Sequence, residues 1–211
     1  MLKPRFAFFV LIGLFLSGCV STNLTRSGFL NDYSFFEEST VYPGMMVNFP
    51  DKKPAAISKL KSYDKFMVDE ISLYIPPKRL EALALKQETI DKLTDYFKEQ
   101  IIKVLENKYS LVEKADSNVL RIRIAVTDMM PAKPCLNLHW ATKITKAGLG
   151  GASVEAEFCD SLSGERIFAV LDSRLGRSLQ LHKGLTKWGY TKDTFFQWAQ
   201  IIGESLKELT K

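Results

Sequence analysis

Two histidines and three cysteines bound the catalytic and metal chemistry that this 211-residue chain can supply. His139 and His182 both fall in stretches that lack periodicity and read as loops. A histidine becomes a general base only when a nucleophile and an orienting acid are brought to it, and these partners can come from anywhere in a chain. No Gly-x-Ser-x-Gly turn presents a serine for that role. Cys135 and His139 could be assembled with Cys159 or His182 into a zinc site, but a cysteine four positions before a histidine is not a specific spacing. No catalytic residue, metal site or cofactor is assigned on these grounds. Gly148-Leu149-Gly150-Gly151 precedes a strand-like pattern and not a helix, so no helix dipole would meet a phosphate there, and it reads as a flexible turn. Arg121 and Arg123 share one side of an alternating segment, and Glu155 and Glu157 share the same side of another. Cross-strand ion pairs are one reading of that pattern and an anion site is the other.

The elements that must position these residues follow from apolar periodicity. Lys65 to Ile75 is strand-like, with a change of phase that a bulge near Asp69 and Glu70 would explain, and Pro76 and Pro77 end it. Ile90, Leu93, Phe97, Ile101, Val104 and Leu105 recur at three- and four-residue steps, which predicts a helix over 89–108. Val119 to Thr127 and Ala152 to Asp160 alternate apolar and polar residues as half-buried strands do. Asp160 to Glu165 supplies turn chemistry into a further strand, Arg166 to Asp172, forming a hairpin. A last helix is expected from about Lys192 to Leu209, capped by Thr191 or Asp193. The expected fold is α+β: an antiparallel sheet of about four to five strands with two helices packed on one face. An extended N-terminal tether precedes it, with Phe29, Tyr33, Phe35 and Phe36 arguing that part of the tether docks on the domain. The expected organisation is a leader over 1–18, a tether or wrap over 19–62, and a single domain over 63–211.

Lys3 and Arg5 precede an apolar run, Phe6 to Leu16, that is too short to remain as a spanning helix and reads as a signal peptide. Leu16-Ser17-Gly18-Cys19 follows, which resembles the lipobox of bacterial lipoproteins, with Cys19 as the acylated residue. Several acyl chains hold a protein to a bilayer far more firmly than the marginal grip of one myristoyl group, at about 0.8 kcal/mol per buried methylene. Val20 and Ser21 follow the cysteine where an aspartate would, by analogy with such lipoproteins, retain the protein in the inner membrane. The expected location is therefore the outer membrane, with the domain facing the periplasm. Loss of Lys3 and Arg5 lowers the net charge from +5 to +3, too mild to imply nucleic acid. Export would place Cys135 and Cys159 in an oxidising compartment as the two thiols left after acylation, which makes them a possible disulfide.

The segment from Ser173 to Lys192 holds Arg174, Arg177, Lys183, Lys187 and Lys192 without an acidic residue. With Trp188 and Tyr190 it is either a surface that contacts a partner or membrane, or a solvated loop whose Trp188 packs back on the domain.

Ser27-Gly28-Phe29-Leu30-Asn31-Asp32-Tyr33-Ser34 resembles the opening motif of a family of bacterial lipoproteins, the domain of unknown function 3313. Tyr63 to Asp69 resembles its first strand, Leu120-Arg121-Ile122-Arg123 its second, and Gly150 to Glu157 with Asp160 and Gly164-Glu165 its glycine-rich loop and hairpin. Trp188-Gly189 and Phe196-Gln197-Trp198-Ala199 resemble its closing segment. The resemblance implies a fold and an address but no substrate, cofactor or catalytic residue. The leading reading is a non-enzymatic outer-membrane lipoprotein that binds another envelope component, held to the membrane by its N-terminal lipid. A small apolar ligand or lipid-binding lipoprotein is the alternative, and a hydrolase stands third. A sizeable apolar pocket would favour the alternative, and a closed core with an exposed aromatic patch would favour the first.

Overall fold

The computed structural model describes residues 26–51, 53–133, 148–176, 183 and 185–209. In chain order the elements are β1 (Glu37–Glu38), β2 (Met46–Asn48), α1 (Lys53–Leu60), β3 (Lys65–Val68), β4 (Ser72–Leu73), α2 (Pro77–Leu83), α3 (Gln87–Leu105), β5 (Ser110–Leu111), β6 (Val119–Met130), β7 (Gly151–Asp160), β8 (Arg166–Leu175) and α4 (Gly189–Leu209). The strands form one open sheet in the order β1-β2-β8-β7-β6-β3-β5, with β4 also paired to β6. The class is α+β, as the alternating and helical periods imply.

The sheet has eight strands and not four or five, and the described residues form four helices and not two. The additional elements are short. β1, β2 and β5 have two or three residues each, less than two full periods of alternation, so no pattern could announce them.

The sheet is also mixed. β6, β7 and β8 are antiparallel neighbours, but β3 and β4 run parallel to β6, and β5 runs parallel to β3. β3, the helices and β6 follow one another as a strand, a crossover and a strand, and such a crossover returns the chain in the parallel sense.

Two phase changes have structural causes. Val68 faces Ile122 and Ser72 faces Ala125, so four residues on one strand span three on the other, and the extra residue falls beside Asp69 and Glu70. In β6 a second irregularity follows Val126, because Val126 faces Val154 while Asp128 faces Ser153. That bulge carries the strand on to Met130, three residues past the point where alternation ends, and turns Met129 into the core.

The helical side of the sheet carries the main core. Leu120, Ile122, Ile124 and Val126 of β6 and Val154, Ala156 and Phe158 of β7 lie there under α3 and α4. Phe97 of α3 stacks on Phe195 of α4, with ring centroids 4.5 Å apart and planes at 7°. Gly203 lets the two helices close in, since a Cβ there would lie 2.1 Å from Val104 Cγ1. α4 begins three residues before the expected Lys192, so Thr191 and Asp193 lie inside its first turns and do not cap it. The Thr191 hydroxyl donates instead to the Gly151 carbonyl at 3.1 Å.

Candidate functional site

The tether and the last helix build a cavity against the sheet. From β2 the chain pairs with β8, Met46 opposite Leu171 and Asn48 opposite Ala169, which draws the β1–β2 hairpin along the edge of the sheet. α4 crosses the same face, and its later turns present Ile201, Ile202, Leu206 and Leu209 toward the hairpin. Val154 and Ala156 are small residues at the centre of β7, so sheet, helix and hairpin do not fill the space between them. A cavity of about 430 Å³ remains, open to solvent on one side. Its floor is hydrocarbon: Val154, Ala156, Phe158, Phe168, Trp198 and Leu206, all nearly excluded from solvent.

One part of that wall is anchored by charge. The Trp198 indole donates to Asp172 Oδ2 at 2.8 Å, and Asp172 also meets the Arg174 guanidinium. The lip carries Phe35, which is 89% exposed, and Val41, which is 65% exposed. Phe35 holds φ +57°, a left-handed backbone unusual outside glycine, with its ring outside the core.

The opposite face of the sheet is covered by residues 26–36. Phe29 and Leu30 pack on Ala125, Ala169 and Leu171, and Gly28 makes the required turn at φ +89°. Glu155 is 1% exposed and takes two hydrogen bonds from this strap: the Ser27 amide donates to Oε1 at 2.8 Å, and the Tyr33 hydroxyl donates to Oε2 at 2.6 Å. The same hydroxyl accepts the amides of Gly28 at 2.8 Å and Leu30 at 3.2 Å. Burial and the bond to Glu155 raise the Tyr33 pKa.

Beside it the arginine side chains form ion pairs and no empty anion site. Arg121 is bidentate to Asp69, while Arg123 and Arg166 both reach the buried Glu157. Cys159 lies on this face as well, without a bonded partner among the described residues, and burial followed by the charge of Glu157 pushes its thiol up to about 11. At the β7–β8 turn the Tyr63 hydroxyl donates to Asp160 Oδ2 at 2.9 Å, and hydrogen bonds from Ser163, Leu162 and Tyr63 hold the Asp160 carboxyl below its usual range.

The structure also places part of the basic segment. Lys183 meets the buried Asp193, Lys187 lies 5.2 Å over the Trp188 ring, and Trp188 packs against the main core. Leu16, Ser17, Gly18, Cys19, Cys135, His139, Arg177 and His182 lie outside the described residues. Sequence reasoning missed the cavity, whose walls come from residues as far apart as Phe35 and Leu209. It also missed the Tyr33–Glu155 contact, because the alternation of Ala152 to Asp160 places Glu155 on the polar side of its strand.

The family model described as a protein of unknown function, DUF3313, matches residues 25–202. The chain belongs to this family. The DUF3313 match begins at the strap and ends within α4, so it takes in both the Glu155 contact and most of the cavity wall. No curated protein matches the chain at a significant level. Among solved structures, a PelC dodecamer from Paraburkholderia phytofirmans shares 12% identity over 71% of this chain and 88% of its own, with a TM-score of 0.41. A homolog of the neuraminyllactose-binding hemagglutinin from Helicobacter pylori shares 12% over the same fractions, with a TM-score of 0.37. A DUF330 protein from Xanthomonas campestris shares 10% over 68% of this chain and 84% of its own, with a TM-score of 0.39. None reaches a TM-score of 0.5, so none bears on the function of this DUF3313 chain.

Proposed function

We propose that this protein is a lipid-anchored envelope protein whose domain binds, without catalysis, an apolar ligand in the cavity between β7, β8 and α4. The cavity is the observation that carries the reading. Its volume falls in the range of roughly 300–1,000 Å³ typical of small-molecule sites, and its floor offers hydrocarbon contacts and no nucleophile. Of the two binding readings open from sequence, contact with an envelope protein and capture of an apolar ligand, the cavity supports the second.

The membrane address rests on the leader from Lys3 to Leu16 and on Leu16-Ser17-Gly18-Cys19 and the residues that follow it. Replacing Cys19→Ser should release or mislocalise the protein, and a variant that still fractionates wholly with outer membranes would remove the lipid anchor from the proposal.

A neutral apolar dye such as N-phenyl-1-naphthylamine tests the cavity directly, by the rise of its fluorescence on titration with protein. Ile202→Trp places a large ring at the cavity wall from a partly exposed position. Ala156→Phe fills the cavity from the floor. Both should weaken dye binding by tenfold or more, because the space the dye occupies is taken. Undiminished binding in Ile202→Trp, with the far-ultraviolet circular dichroism of the parent, would refute the site.

A further inference from the structure

We infer that the ligand held in this cavity is a single-chain amphiphile with a positively charged head group. The inference rests on the binding reading above and concerns the mouth, which that reading leaves unspecified.

Five charged residues line the opening: Glu37 and Glu38 of β1, Asp51, Glu208 in the last turn of α4, and Lys53 at the start of α1. Four are acidic and one is basic, in a chain whose net charge is +5. All five are exposed. None of the four carboxylates meets a lysine or arginine among the described residues. Glu38 accepts the Gly44 amide at 2.9 Å, and Lys53 lies 5.8 Å over the Phe49 ring, away from an ion pair.

The carboxylates that line no part of the cavity include several that are neutralised by ion pairs. Asp69, Asp128, Glu157, Asp172 and Asp193 each hold an arginine or lysine within ion-pair distance. The mouth is therefore a concentration of unneutralised negative charge at the edge of an apolar cavity, in a molecule that is otherwise basic.

Charges of one sign around a low-dielectric cleft focus the potential at its entrance. A chain buried against Ala156, Phe158 and Trp198 must leave its head group at that entrance, within the screening length of the rim, about 8–10 Å near physiological salt. A carboxylate, sulfate or phosphate head would face like charges there. An ammonium or other cationic head would face partners already exposed and hydrated, so its approach desolvates little.

The test is calorimetric titration of the full chain carrying Cys19→Ser, so that no acyl group of its own competes. The probes are dodecyltrimethylammonium, dodecyl maltoside and laurate, each below its micellar concentration. The cationic probe should bind roughly tenfold or more tighter than laurate at low salt, with the gap narrowing as salt screens the rim. The combined variant Glu37→Gln, Glu38→Gln, Asp51→Asn and Glu208→Gln changes only exposed side chains and leaves the floor intact. It should retain dodecyl maltoside binding and lose the preference between cation and anion. Laurate binding as tightly as the ammonium probe, or a preference that survives neutralisation of the rim, overturns the inference while leaving the cavity as a site. Failure of all three probes, the maltoside included, overturns the cavity reading itself.

Discussion

Replacing Tyr33 with Phe isolates a single interaction, the one that ties the N-terminal strap to the back of the sheet. The hydroxyl that would be lost donates to a carboxylate that is 1% exposed, at 2.6 Å. Hydrogen bonds to a charged group contribute about 1.5–3 kcal/mol, and a buried acceptor left short of a partner keeps its desolvation cost. The amides of Gly28 and Leu30 lose an acceptor as well, but the first is exposed and water replaces the hydroxyl there at little cost. The substitution should therefore cost about 2–3 kcal/mol, which for a chain of this length lowers the melting temperature by about 4–12 °C. Glu155→Gln is harder to predict alone, because relief of a buried charge offsets the weakened bonds to Ser27 and Tyr33. The coupling between the two substitutions is the informative quantity. Denaturant unfolding of the four-member cycle should give a coupling of about 1.5–2 kcal/mol, and hydrogen exchange in either variant should rise first between Ser27 and Tyr33. Additivity within about 0.5 kcal/mol would show that Phe29 and Leu30 hold the strap by packing alone, and the hydrogen-bond argument would be wrong.

Further outcomes follow from named contacts. Asp160 has its pKa depressed below 3.8 by its hydrogen bonds, so it contributes stability while ionised and loses that contribution as pH falls below about 4; Asp160→Asn should lower the melting temperature at pH 7 and flatten its decline in acid. Gly203→Val should destabilise the protein by more than 1 kcal/mol in chemical unfolding, with part of the loss from a Cβ placed 2.1 Å from Val104 Cγ1 and no compensating gain from a β-branched residue in a helix. The Cys159 thiol, buried and pushed up to about 11, should resist alkylation at pH 8 in the native protein and react at the rate of an ordinary thiol in denaturant; rapid native labelling of Cys159 would contradict its burial.

The long elements were legible in the sequence because each repeats its own period several times. α3 places Ile90, Leu93, Phe97, Ile101 and Leu105 on one buried stripe, as the spacing of those residues alone implies. β6 and β7 alternate over enough residues to mark an inner face, and the register Ile122 to Phe158 and Ile124 to Ala156 sets those faces side by side. The docking of Phe29 and Tyr33 was also foreseeable, since aromatics in an extended segment gain most by packing on a surface.

Other features depend on which segments meet, and local pattern does not encode that. Glu155 reads as solvated because it alternates with Val154 and Ala156, yet the strap, more than a hundred residues earlier, covers it. β2 is a strand because β8 offers it an edge, and β1 pairs in turn with β2. The cavity has no sequence signature at all. It is the volume left between a hairpin near the N-terminus, the centre of the sheet and the last turns of α4, and its acidic mouth exists because Glu37, Glu38, Asp51 and Glu208 are brought to one opening. Periodicity determines which side of each element is apolar. Only the packing of those sides against one another decides where they fail to fill space, because packing is a property of pairs of surfaces and not of any one stretch of chain.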